Sequence, residues 1–172
     1  MPGPIFIRGE RITLRTVESD DLDFENKHRN DPRIRKPLTF SMPLNHDQAE
    51  SRFERHTESD ESVSLWICAD EDPVGKVDLF DINQTHGTSE IAYWLVPEFW
   101  GNGYASDAVD LLVRYAFEER RLRKVSAHVL VENEGSQAVL ERAGFQREGR
   151  LRDERYVDGE HCDVFRYGLL AT

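Results

Sequence analysis

The chain has 172 residues, 38% of them apolar and 32% charged, which suits one soluble globular domain with a sizeable core and is short for two. A net charge of -11 excludes the basic stripe that a nucleic-acid binder needs, and apolar runs such as Ile91–Val96 are far too short to span a bilayer. Cys68 and Cys162 cannot make a secreted disulfide framework, and Met1-Pro2-Gly3-Pro4 lacks the pattern of a secretory signal, so a reducing cytoplasm is the expected setting. The acidity either suits a cationic partner or only confers solubility.

In chain order, Arg11-Ile12-Thr13-Leu14-Arg15 alternates polar and apolar residues and predicts a half-buried strand. Ser19-Asp20-Asp21 opens a helix, with acids at the positive end of its dipole. Asn30–Pro43 holds three prolines and reads as mostly loop. Asn45 starts a polar helix through about Thr57. Val63–Ala69 and Val74–Phe80 read as strands joined by a turn at Glu71-Asp72-Pro73, and Ser89–Val96 as a third strand of the same meander. Ala105, Val109, Leu112 and Ala116 recur at helical spacing, predicting an amphipathic helix to about Arg121. Val125–Val131 is a strand and Glu134–Ala143 a helix. Gly144 fits the left-handed position that ends it, and Phe145 can fold back on Leu140. Arg150–Val157 and Glu160–Leu169 flank Asp158-Gly159, a hairpin signal.

The chemistry points to the junction after Pro97. Trp100-Gly101-Asn102-Gly103-Tyr104-Ala105 joins a strand directly to a helix. Two glycines let the backbone turn sharply and approach a ligand. The first helix amides lack partners and carry the positive end of the macrodipole, so they suit an anion such as a diphosphate. The same pattern can also be no more than a tight connection. It is neither a Walker loop nor a dinucleotide fingerprint.

These residues, in order, resemble the GNAT superfamily of N-acetyltransferases, specifically the ribosomal-protein alanine N-acetyltransferase branch. The likeness is carried by Ile91–Pro97, Trp100–Ala105, Asn133–Ser136, Val139–Phe145 and Tyr156–Gly159 with Asp163, and it covers nearly the whole of residues 1–172 as a single domain. It implies an α/β fold with a mixed, mostly antiparallel sheet of about seven strands, helices on both faces, and a splayed parallel pair formed by Glu90–Val96 and Val125–Val131. It also implies acetyl-CoA as cosubstrate, its pantetheine arm along Leu95 and Val96 and its pyrophosphate on the amides of Gly101, Asn102, Gly103, Tyr104, Ala105 and Ser106. Trp100 departs from the motif's usual Gln or Arg. Asn133 is either a plain N-cap or also a pantetheine contact.

An ammonium must lose a proton before it can attack a thioester, and the oxyanion needs a donor. The resemblance makes Glu90 the first candidate base, with Glu154 second. Ser136 is placed near the sulfur as proton donor, and Tyr156 is a further acid or a substrate contact. The thioester is already activated, so no cysteine is needed as nucleophile. The six histidines show no metal-ligand spacing, no metal is expected, and His128 reads as structural. The expected acceptor is a protein N-terminal α-amine. The alternatives are a small-molecule amine, such as an antibiotic or polyamine, and a non-catalytic acyl-CoA-binding module. A homodimer is compatible with the sequence.

Overall fold

The computed structural model describes residues 2–172. The chain runs β1 (Ile5–Arg8), β2 (Ile12–Thr16), α1 (Leu22–Arg29), α2 (Pro32–Arg35), α3 (His46–Thr57), β3 (Val63–Ala69), β4 (Asp72–Asn83), β5 (Thr88–Leu95), α4 (Tyr104–Glu118), β6 (Lys124–Leu130), α5 (Glu134–Arg142), β7 (Gln146–Val157) and β8 (Glu160–Leu170). The strands form one sheet in the order β1-β2-β3-β4-β5-β6-β8-β7. Every neighbouring pair is antiparallel except β5 and β6. The expected α/β class and parallel pair are present. The sheet has eight strands rather than about seven, because Ile5–Arg8 pairs with β2 at one edge.

Asn30–Pro43 is mostly loop, as expected, with one short helix inside it. Pro32 fits the first turn of α2, where its missing N–H costs nothing, and the Asp31 side chain caps that turn by accepting from the Arg33 amide at 2.9 Å. The β3–β4 turn lies at Asp70-Glu71, earlier than Glu71-Asp72-Pro73, with Asp70 at φ 55. The register then slips between Ile67 and Cys68, where Pro73, which has no N–H to give, stands opposite Cys68.

The apolar stripe of α4 drives its docking. Ala108, Val109, Leu112 and Ala116 are fully buried against Ile67, Leu79, Ile91 and Val125. Leu140 of α5 joins the same core. The predicted helix ending is observed: the Phe145 amide donates to the Leu140 carbonyl and the Gly144 amide to that of Glu141, both at 3.0 Å, with Gly144 at φ 91.

On the opposite face Trp66, Cys68 and Trp94 pack with Ile34 of α2 and Phe24 of α1. A polar tie holds α1 there. Lys76 and Glu25, 5% and 7% exposed, are 2.8 Å apart, and Trp66 Nε1 donates to Asp21 at 2.9 Å. Burial pushes the Glu25 carboxyl up, but the Lys76 ammonium outweighs it, so the group titrates below the usual carboxylate range. A folded value below the unfolded one means that the pair stabilises at neutral pH and that this contribution fades as acid approaches the lowered value. Glu25→Ala should therefore cost up to about 3–5 kcal/mol, because Lys76 would stay buried with Asp78, at 3.7 Å, in place of its 2.8 Å partner. Urea denaturation at pH 7 measures this. The double change Glu25→Leu with Lys76→Met should restore most of the loss.

The site follows from where pairing stops. β5 and β6 pair only at Thr88/Lys124, Ser89/Val125 and Glu90/Ser126. Beyond Glu90 each strand keeps its other neighbour, β4 or β8, and the two part company.

Candidate active site

Two cavities meet at this gap. A groove of about 600 Å³ lies between the splayed strands and α4 and α5, lined by Tyr93, Leu95, Gly101, Ser106, Asn133 and Ser136 among others. A second cavity, of about 640 Å³, lies over the α1 and α3 face, with Glu90, Ala92, Asp78, Arg29 and Arg52 in its walls. Pro37, Leu38, His128 and Val129 border both.

The groove's outer end is the glycine turn. Gly101 and Gly103 have φ 82 and 80, in the left-handed region that favours glycine. Gly103 is the N-cap of α4, and no side chain caps that helix, so its first-turn amides remain for an anion. Arg11 fixes the turn: Nη1 donates to the Asn102 carbonyl, and Nε and Nη2 reach the Asp107 carboxylate, each at 2.8 Å. Local patterning assigns Arg11 only a place in a strand, because its partners are more than ninety residues away. Gly101, Gly103, Ala105 and Ser106 line the groove, whereas the Asn102 and Tyr104 side chains do not.

The strand side of the groove divides the expected pair Leu95 and Val96. The Val96 amide donates to Val74 of β4 at 2.8 Å, and its side chain is buried with Trp66, so Val96 faces away from the gap. Backbone groups alternate along a strand, which turns those of Tyr93 and Leu95 toward the gap. The Leu95 carbonyl bears this out by accepting from Trp100 Nε1 at 3.0 Å. Trp100 thus departs from the motif but covers the same strand.

Ser136 stands where it was expected, at the start of α5. Its Oγ is 2.7 Å from Tyr93 Oη, a partner that sequence spacing does not show, and the phenol also donates to the Ser136 carbonyl at 3.2 Å. Burial pushes the Tyr93 phenol up to about 12, against a weaker pull from the Ser136 hydrogen bond, so it stays protonated. Asn133 caps α5, its Oδ1 accepting from the Ser136 amide at 3.1 Å, and it also lines the groove.

At the junction of the cavities Glu90 meets His128. Glu90 Oε1 lies 2.6 Å from His128 Nδ1, although the ring N–H does not point along that line as a well-aligned hydrogen bond would. Both side chains are about one quarter exposed. The register explains the meeting: Ser126 opposes Glu90, and His128, two residues on, is on the same sheet face where the strands begin to part. This places His128 on the border of both cavities, which sequence spacing does not show.

Tyr156 and Glu154 are not brought to this junction. Tyr156 is 64% exposed on β7, edge-on to His161, and Glu154 is exposed beside Arg155; neither lines a cavity. Among the described residues no three His, Cys, Asp or Glu side chains group as a metal site would require.

Residues 11–146 match the family described as the acetyltransferase (GNAT) domain. The chain is 35% identical over 168 residues to the "Putative ribosomal N-acetyltransferase YdaF" of Bacillus subtilis, covering 94% of this chain and 92% of that one. It is 30% identical to the spermidine N(1)-acetyltransferase of Vibrio cholerae, with 94% of each chain covered. Among solved structures, the spermidine N-acetyltransferase of Vibrio cholerae in complex with CoA and spermine superposes with a TM-score of 0.89 at 29% identity, over 94% of this chain and 96% of that one.

Proposed function

Since the chain belongs to the GNAT acetyltransferase family, whose members transfer acetyl from acetyl-CoA, we propose that it acetylates a small primary amine by direct attack at the Glu90–His128 junction. The observation that carries this reading is the shared border of the two cavities, where, among the described residues, the one ionisable side chain is His128.

In this reading the α4 amides hold the pyrophosphate and the gap between β5 and β6 holds the pantetheine arm. The amine enters from the α1 and α3 side. His128 accepts the proton that the amine loses, and Glu90 orients the imidazole and stabilises its cation. A backbone amide of Tyr93 or Leu95 donates to the oxyanion. The nitrogen adds to the thioester carbon and the carbonyl electrons move onto the oxyanion. As the carbonyl re-forms the C–S bond breaks, and the departing thiolate takes a proton through the Ser136 hydroxyl, which is bonded to Tyr93 and regains a proton from solvent.

No enzyme thiol takes part. Burial pushes the Cys68 thiol up to about 11, and Cys162 is raised by desolvation and by the carboxylates of Glu132 and Glu160. Neither lines the cavities. The acceptor cavity is walled by helices and strands on several sides, which supports a small molecule, as does the name of the Vibrio cholerae relative. The name of the Bacillus subtilis relative favours the second reading, a protein N-terminal α-amine. Following free thiol when the protein is mixed with acetyl-CoA and a primary amine tests the reaction, and Cys68→Ala and Cys162→Ala should each keep turnover within about threefold, since direct attack bypasses both.

A further inference from the structure

The acceptor cavity carries charge that the reaction described above does not use. Arg29 ends α1, and Arg52 lies in the middle of α3. Both side chains are half-buried and both line the cavity. The Arg29 guanidinium lies over the Phe40 ring at 3.5 Å, which fixes its plane. Among the described residues neither arginine has a carboxylate within 4 Å or donates a side-chain hydrogen bond. The carboxylates that act on Arg29, Glu25 of α1 and Asp78 of β4, are already engaged: Glu25 with Lys76 at 2.8 Å, and Asp78 with Ser64 Oγ at 2.5 Å and with Lys76 at 3.7 Å. Glu61 and Asp81, which also line the cavity, are exposed at its rim.

Two like charges on the wall of one cavity, partly desolvated and with no carboxylate of the described residues within 4 Å, are costly unless an anion joins them. Burial first, and Arg52 next, lower Arg29 to about 10, against weaker opposing pulls from Glu25 and Asp78. At the other end of the same cavity stand Glu90 and His128.

We propose that the acceptor is a zwitterion: a small primary amine whose anionic group, a carboxylate or phosphate, is bound by Arg29 and Arg52 while its nitrogen faces His128. This rests on the acetyltransfer reading and deepens it. A guanidinium pair offers planar, charge-assisted hydrogen bonds to such a group. The same pair repels a polyamine, although the chain as a whole is acidic. The amine's distance from its anion then becomes a ruler for selectivity.

The test is a series of ω-amino acids from glycine to 6-aminohexanoate, each against its own amide, together with 2-aminoethylphosphate against ethanolamine, and spermidine. Thiol release from acetyl-CoA gives kcat/KM for each. At the best chain length the anionic amine should exceed its amide by at least about tenfold, and that ratio should collapse about tenfold in Arg29→Gln and in Arg52→Gln. Arg52→Lys should keep part of it. Dipeptides with an acidic or an amide second residue distinguish an N-terminal source of the same chemistry from a free amino acid. Calorimetric titration of the N-acetylated products, with CoA present, reads the subsite without turnover. Equal use of amines and their amides, or preference for spermidine, overturns the proposal while leaving acetyltransfer intact. Thiol release with no amine at all, but product binding that needs Arg29 and Arg52, would sink the reaction and keep the subsite. Product binding indifferent to both arginines overturns the subsite outright.

Discussion

His128→Ala should lower turnover by about a hundredfold to a thousandfold at neutral pH and leave acetyl-CoA affinity nearly unchanged. In the proposed reading affinity rests on the α4 amides and the splayed strand, whereas His128 acts at the point where the cavities join. A positioned base contributes about 10²–10⁴ to such a reaction. Glu90→Gln keeps an acceptor 2.6 Å from Nδ1 but removes the charge that stabilises the imidazolium, so a smaller loss, about ten- to a hundredfold, is expected. Both deficits should shrink as pH rises, because the amine then loses its proton without help. A pH profile of kcat for the three proteins checks this. If Glu90→Gln were the more damaging change and His128→Ala almost silent, Glu90 would be the base, acting through water.

Gly103→Glu should abolish acetyl-CoA binding, by about a hundredfold or more, while the fold survives. At φ 80 a side chain strains the backbone by about 1–3 kcal/mol, and the new Cβ would stand 2.8 Å from Arg11 Nη2, the movable end of a flexible chain. The larger effect is electrostatic: a carboxylate at the N-terminus of α4 takes the place of the diphosphate and repels it. Gly103→Ala separates the two contributions. It carries the strain without the charge and should weaken binding only a few-fold. Calorimetric titration with acetyl-CoA, beside thermal melts of each variant, supplies the comparison.

Local features were the legible part of this chain. The α4 stripe, the Gly-Asn-Gly turn and the Leu140–Phe145 ending each depend on residues close in sequence, and each is observed. The short α2 inside the proline-rich loop was less legible, because proline breaks a helix interior but suits its first turn, and only the Asp31 cap distinguishes the two. Val96 misled because the strand's alternation can start from either phase, and its bond to Val74 decides which residues face the gap. His128 could not be recognised from spacing. Its partner Glu90 is across a parallel crossover, and a shift of one residue in the β5–β6 register would put the two on opposite faces. Tyr93 with Ser136, and Arg11 with Asp107, are likewise joined only by the fold. The arginines of the acceptor cavity lie on separate helices, and a surface-charge reading of an acidic chain passes over them. Tyr156 carried an expectation from resemblance alone, and the hairpin holds it in solvent.

The most direct test of the account is an amine-dependent reaction followed by mass. Protein, acetyl-CoA and a panel of small primary amines are mixed, and free thiol, acetylated amine and the intact protein mass are read over time. The account predicts thiol release that requires an amine, one acetylated amine for each thiol, and a protein mass that never gains an acetyl group, with Cys68→Ala and Cys162→Ala behaving alike. Tight acetyl-CoA binding with no release above the enzyme-free rate for any amine would make the chain a binding module, and a persistent acetyl adduct on the protein would contradict direct attack.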